Sequence, residues 1–224
     1  MNTLIISFVI VFLLKAKALE TDFIEYEGEN EEDPETMPDL FQGDIAMKEN
    51  EMAMLKIGIN PMKFPQKLWE NRTVPFSISK EYNFDERALI ERSLITISSL
   101  TCINFKEHNI SETNFIHFKP PEGKSGGCWS YVGKTGGEQI VSLQKKDKKS
   151  AHCFSSEGRI IHEILHAIGI YHEQSRPDRD KYIQIHWDNI IPKYKKNFKL
   201  VTKGKYSFDY DYNSVMHYGY FYFR

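Results

Sequence analysis

The chain has 224 residues, 41% of them hydrophobic and 27% charged, with a formal net charge of −2, a composition that suits one globular core of ordinary size. The charge is unevenly divided: Glu20 to Glu51 holds thirteen acidic residues and one basic residue, Lys48, whereas Met52 onward holds eighteen acidic and twenty-six basic. The basic excess is spread over "QKKDKK" and "KYKKNFK" without an aromatic stacking platform or a recognisable motif, which argues against nucleic acid as a partner.

In chain order, the first feature is an apolar run from Leu4 to Leu14 followed by the small residues Ala16 and Ala18. A run of eleven residues, all but Ser7 apolar, falls short of a hydrocarbon layer of about 30 Å. Residues 1–18 are therefore expected to be a cleaved secretory signal and not a membrane anchor, and no later segment is apolar enough to span. The acidic stretch that follows cannot bury much surface by itself. Lying beside a basic body, it reads either as a removable segment folded onto its own domain or as a solvated linker.

"TVPFSI" (Thr73 to Ile78) has the composition of a strand. "DERALIERSLITISSL" reads as a helix with Asp85 at its N-cap and Ala88, Leu89, Ile95 and Leu100 among its apolar positions. "CINFKEH", "NFIHFK", "WSYVG" and "EQIVSLQ" are short, rich in β-branched and aromatic residues, and bounded by turn formers, so they read as further strands; "PPEGKSGG" is a loop. Ser155 and Ser156 are placed to cap a second helix that begins near Glu157 and buries Ile160, Ile161, Ile164, Leu165 and Ile168. The order predicts an α+β domain with the second helix across the end of the sheet. The triplets Asn71-Arg72-Thr73 and Asn109-Ile110-Ser111 are glycosylation acceptors suited to a secreted surface. Cys102, Cys128 and Cys153 form an odd set, so either one thiol is free or its partner lies beyond Arg224. The aromatic end, "SVMHYGYFYFR", favours a chain that continues.

The second helix carries the chemistry, in "RIIHEILHAIGIYHEQSRPDRD" (Arg159 to Asp180). On a helix, His162 and His166 lie about 40° apart on one face, one turn of roughly 5.4 Å along the axis, so both imidazoles reach one ion. Had the helix continued, His172 would sit about 120° round and roughly 9 Å further on, out of reach. Gly169 resolves this, because a residue without Cβ ends a helix at positive φ and turns the chain back. Three neutral imidazoles leave one coordination position for water, the pattern of a catalytic zinc, and Glu163 is placed as the proton carrier. A structural zinc is the competing interpretation. Chance is a poor one: HExxH alone occurs in roughly one chain in a hundred of this length, and Gly169 with His172 lowers that several hundred-fold.

H-E-x-x-H-x-x-G-x-x-H is the metzincin signature. With Glu173 after the third histidine, "QSRPDRD" and "SVMHY" (Ser214 to Tyr218), the segment resembles the astacin family of secreted zinc endopeptidases; Ile170 departs from the more usual Phe. The resemblance covers Phe64 to Tyr218. It implies a zincin fold, with a twisted, mostly parallel sheet, an antiparallel edge strand, a zinc-binding helix and a lower subdomain incomplete in this chain. It also implies that Met216 is the floor of the metal site and that Tyr218 is an oxyanion donor and resting-state metal ligand. Glu173 would be the buried partner of the new amino terminus formed on activation, and His217 purely structural. "FQGD" (Phe41 to Asp44) resembles the family's propeptide motif, in which Asp44 would occupy the open zinc position and keep the enzyme latent.

On this resemblance residues 19–59 are an acidic propeptide and 60–224 the catalytic domain, truncated at its carboxyl end. An activating protease would cut between Met52 and Trp69, for instance at Lys56. Cys128 and Cys153 resemble the family's internal disulfide, and Cys102 the cysteine whose partner lies beyond this chain. A protein or peptide substrate is expected to pair, extended, with the edge strand that includes Cys128 to Tyr131. The alternative is an inactive module that keeps the zinc site for structure.

Overall fold

The computed structural model describes residues 33–48, 51, 65–122, 126–146, 152–200, 208–219 and 222–223. The expected signal segment at 1–18, the first part of the acidic leader and Lys56 lie outside the described residues, as does most of the stretch expected to hold the activation cleavage.

Six strands form one sheet in the order β1-β5-β6-β4-β2-β3: β1 (Ile45–Ala46), β2 (Thr73–Ile78), β3 (Asn104–Glu107), β4 (Phe115–Lys119), β5 (Trp129–Tyr131) and β6 (Glu138–Ser142). The pairs β2–β3, β2–β4 and β4–β6 are parallel, whereas β5 runs antiparallel to β6. Parallel neighbours need a crossover, and the helix α1 (Phe84–Leu100) supplies the one between β2 and β3. Period-two alternation sets the inward face: in β4 Ile116 and Phe118 are buried, while Phe115, His117 and Lys119 are only partly so. β5 is the edge strand of the domain proper, as expected. Its outer side is not open, because leader strand β1 pairs with it in parallel, Ile45 opposite Ser130 and Ala46 opposite Tyr131.

The N-cap of α1 is Asn83, not Asp85. Asn83 Oδ1 accepts from the Glu86 N–H at 2.9 Å and Glu86 Oε2 accepts from the Asn83 N–H at 2.8 Å, so two otherwise unpaired donors are satisfied reciprocally. Asp85 sits in the first turn, where its charge suits the helix dipole. The buried stripe of α1 runs through Ile90, Leu94 and Ile97; Ala88 and Ile95 face outward.

The second helix, α2 (Glu157–Ala167), begins at the N-cap Ser156, whose hydroxyl accepts from the Arg159 N–H. It packs Ile160 and Ile164 against the α1 stripe and Val141 and Leu143 of the sheet side. Its end has the bonds of a Schellman cap, Gly169 N–H to His166 O at 2.8 Å and Ile170 N–H to Leu165 O at 2.9 Å. Gly169 has φ +115°, which an L side chain rarely adopts.

Beyond α2 the chain forms short 3-10 turns around a second, aromatic cluster of Ile190, Tyr194, Phe198, Tyr218 and Phe223. Burial of Phe223 there shows what covers part of the aromatic end of the sequence. The disulfide joins Cys128 to Cys153, tying the start of β5 to the approach to α2, and Cys102 is a half-buried free thiol. Asn71 and Asn109, the two acceptor asparagines, are exposed.

Candidate metal centre

His162 and His166 project from one face of α2, and the turn at Gly169 brings His172 back to them. All three are buried, with Asp44 of the leader among them. One ligand atom from each of the four residues falls within 4.8 Å of every other. His162 Nε2 and His172 Nε2 are 3.2 Å apart, and Asp44 Oδ2 lies 3.1 Å from the first and 3.0 Å from the second. Asp44 Oδ1 is 3.7 Å from His166 Nε2. A tetrahedron with metal–ligand distances of about 2.0–2.1 Å has edges of ~3.3–3.4 Å, so the spacing suits one small cation.

The outer bonds of the rings say which nitrogens face that point. His162 Nδ1 lies 2.8 Å from Val215 O, His166 Nδ1 2.7 Å from Ile170 O, and His172 Nδ1 2.8 Å from Gln42 Oε1. Each of those oxygens can only accept, so in the neutral rings Nδ1 carries the proton and Nε2 carries a lone pair. With all three rings neutral, three lone pairs and a carboxylate converge in one buried space, a repulsive arrangement that either a metal ion or a proton on one ring relieves. His166 Nε2 and Asp44 Oδ1 find no hydrogen-bond partner among the described residues, which is what metal ligands look like without their ion. The residues therefore fit zinc, with nitrogen and oxygen donors in the number a zinc site uses.

The electrostatics agree for two of the rings. Burial lowers His166, and pushes His172 down to about 4, against the pull of Asp44, keeping both in the neutral form a ligand needs. His162 differs. Burial opposes its charge, but Asp44 and Glu35 outweigh that and raise it to about 9, so a metal must displace a proton there. Burial, with Asp44 and Glu35 nearby, holds the Glu163 carboxyl well above its usual range. Neither Glu163 oxygen has a hydrogen-bond partner among the described residues. Met216 is buried, its carbonyl accepting from the Glu173 N–H at 2.8 Å.

Two residues expected beside the metal or the new amino terminus have other partners in the structure. The Tyr218 hydroxyl donates to the carbonyl of Gln42 and its ring lies 4.7 Å from that of His172, so the phenol is engaged by the leader. Glu173 is half-buried and satisfied by Arg176 Nη1 at 2.8 Å and the Asp211 N–H at 3.0 Å; its charge is met by a guanidinium near in sequence. His217 bonds Tyr210 and the Tyr218 carbonyl and is not among the clustered ligand atoms.

The leader is seated across the cleft by contacts of several kinds. The Cys128 N–H donates to Pro34 O at 2.8 Å and the Ser130 N–H to Asp44 O at 2.9 Å. Arg159, one turn before His162 on α2, grips Asp33 with both Nη atoms at 2.8 Å and lies 3.2 Å from Glu35 Oε1, which itself neighbours Tyr222. Gly43, with φ +89°, lets the chain fold tightly here; a Cβ would meet Glu35 O at 2.6 Å. Sequence reasoning missed Gln42, Arg159, Asp33 and Glu35. Their only signals were an unexplained arginine one turn before the motif and the variable position of "FQGD".

A family model described as Astacin, a peptidase family, matches residues 61–224. The chain is 37% identical over 182 residues to embryonic protein UVS.2 of Xenopus laevis, covering 79% of this chain and 32% of that one. It is 35% identical over 184 residues to zinc metalloproteinase nas-6 of Caenorhabditis elegans, covering 80% and 50%. It thus spans half or less of the length of these curated relatives. Among solved structures it is similar to high choriolytic enzyme 1, a hatching enzyme zinc-protease from Oryzias latipes, with a TM-score of 0.56 and 36% identity over 68% of this chain and 72% of that one. With its three histidines gathered on one point as the motif requires, this chain belongs to the astacin family.

Proposed function

We propose that the protein is a secreted zinc endopeptidase that hydrolyses peptide bonds of proteins and is made as a latent precursor. The observation that carries this reading is the convergence of three buried Nε2 atoms on one point, with Asp44 of the leader at the fourth position. In the working enzyme His162, His166 and His172 hold the metal. When bound, zinc supplies Lewis acidity to the substrate carbonyl and lowers the pKa of water toward about 7. Glu163 takes the proton of the attacking water and passes it to the departing amine. Tyr218, released from the leader, donates its hydroxyl to the oxyanion, and Met216 supports the site from below. Glu173 exchanges part of its partnership with Arg176 for the new amino terminus.

Latency follows from residues 33–48 lying where substrate would pair with β5. Asp44 takes the position that water needs, and the strand edge is already used by β1. Residues 1–18 are the signal, 19–59 the propeptide and 60–224 the catalytic domain, cut free by an activating protease. Secretion is supported by the apolar amino-terminal run and by the Cys128–Cys153 disulfide. No helix among the described residues is long and apolar enough to cross a membrane.

The test is casein hydrolysis after leader removal, with and without a chelator, for the natural chain and Glu163→Gln. Zinc should remain bound in Glu163→Gln while the rate falls by about two to four orders of magnitude. Equal rates would remove Glu163 from its role, and a leader-free, zinc-loaded chain with no activity at all would point to the inactive zinc module.

A further inference from the structure

The three ligand imidazoles are not oriented by the same part of the molecule. His162 and His166 donate from Nδ1 to main-chain carbonyls of the domain itself, Val215 and Ile170. His172 donates instead to a side chain of the leader, Gln42 Oε1, 130 positions earlier in the chain. We propose that Gln42 is a positioning residue of the metal centre, so that the leader both fills the fourth coordination site and fixes the third ligand, and zinc is held more tightly in the precursor than in the leader-free enzyme. This rests on the reading of residues 33–48 as a latent segment over a zinc site.

Several observations carry it. Gln42 is fully buried, so its amide must bond within the protein. Its Nε2 points to Lys199 O at 3.4 Å, and a carbonyl can only accept, which assigns Oε1 to the His172 side. With the amide reversed, an N–H would face Nδ1 and force the proton onto Nε2, the atom that must bind the metal. His172 is thus held at both nitrogens by two leader positions separated by one glycine, Gln42 at Nδ1 and Asp44 at Nε2. Gln42 also adopts φ +52°, a left-handed conformation that costs a residue with a Cβ and that glycine would take freely. A glutamine kept in that conformation is explained by work its side chain does. Its carbonyl meanwhile accepts from the Tyr218 hydroxyl, so one residue restrains both a ligand and the phenol. Removing the leader takes away the orienting acceptor of His172, the Asp44 ligand and the tether on Tyr218 in a single event.

The experiment measures zinc release from intact precursor, its length checked by mass, into a chromophoric chelator, together with the equilibrium zinc affinity. Gln42→Met keeps the volume and removes the acceptor; Gln42→Glu keeps an acceptor. Loss of an outer partner of a metal-bound histidine typically weakens affinity about 10–100-fold, so Gln42→Met should release zinc faster by that factor and Gln42→Glu should restore slow release. In the cobalt-substituted precursor, proton NMR should show three exchangeable, shifted imidazole N–H signals, of which Gln42→Met loses or broadens one. Natural zinc retention and three intact signals in Gln42→Met would overturn the proposal. Asp44→Asn separates the two ideas: if it speeds release while Gln42→Met does not, only the role of Gln42 falls. If neither changes release, the leader is not seated on the metal and the latency reading fails with it.

Discussion

Replacing Asp44 with alanine removes a buried carboxylate whose Oδ2 lies 3.0 and 3.1 Å from two ligand imidazoles. Breaking a buried charge pair by deleting one partner costs about 3–5 kcal/mol. At 1.36 kcal/mol per decade this shifts the balance between seated and unseated leader by roughly two to four orders of magnitude. The leader does not leave altogether, because the Arg159–Asp33 pair and the β1–β5 pairing remain. Uncut Asp44→Ala precursor should therefore hydrolyse a quenched fluorescent peptide at least a hundredfold faster than uncut natural precursor, up to the ceiling set by leader-free enzyme. Both proteins must be loaded with zinc and shown intact by mass. Asp44→Asn, which keeps an acceptor oxygen in place, should fall between them. A zinc-loaded Asp44→Ala precursor as silent as its parent would refute the reasoning and assign latency to strand occupancy alone.

Arg159→Met strips the leader of its bidentate ion pair and leaves Asp33 and Glu35 without their cation. A loss of about 2 kcal/mol, roughly thirtyfold in leader release, is expected, read as faster removal of the leader by an added protease; unchanged susceptibility would deny the pair that function. Gly169→Ala meets no atom within 4 Å but must adopt φ +115°, so its cost of about 1–3 kcal/mol is conformational. The turn that returns His172 should relax, and zinc affinity should fall together with the unfolding midpoint; a change in stability with zinc binding intact would separate Gly169 from the metal. Replacing both Cys128 and Cys153 with serine opens a cross-link of sequence separation 25. Chain entropy for a loop of that length gives about 3.5 kcal/mol. Denaturant unfolding should lose most of it, and a loss below about 1 kcal/mol would mean that the α2 approach is held by packing instead.

The parts of the fold that were legible in the sequence are those set by local pattern. The runs around Thr73, Phe115 and Glu138 became strands because alternation and β-branched residues commit a segment of that length. Ser156 was legible as a cap because a hydroxyl just before an amphipathic run has one favourable use. The shift of the α1 cap from Asp85 to Asn83 reflects a capping box, in which the acceptor three residues on, Glu86, decides between two acceptable starts. The aromatic cluster of Tyr194, Phe198, Tyr218 and Phe223 had no periodicity to announce it. Its members come from irregular segments, and only tertiary packing brings them together.

The candidate site divides along the same line. His162, Glu163, His166, Gly169 and His172 lie within eleven positions, so helix geometry and one turn relate them and the sequence spacing is nearly sufficient. Asp44 lies 118 positions from His162, and no local rule connects the two; a four-residue motif pointed to it only through resemblance. Gln42 and Arg159 escaped even that, since one occupies a variable motif position and the other meets Asp33 only through tertiary folding. On the proposed reading the metal ligands and the proton carrier must keep their geometry after activation, and these are clustered in sequence on one helix and the turn that follows it; Tyr218 is brought to them only by tertiary packing. Residues that impose latency, on the same reading, would have to be removable, which suits a segment distant in sequence whose contacts exist only while it is seated. On the proposed reading a carboxylate ligand at Asp44, with the outer hydrogen bond of His172 and the tether on Tyr218 both at Gln42, falls within three consecutive residues, so that none of Gln42, Gly43 and Asp44 would shift without disturbing the others and cutting the leader loose would release all of them together.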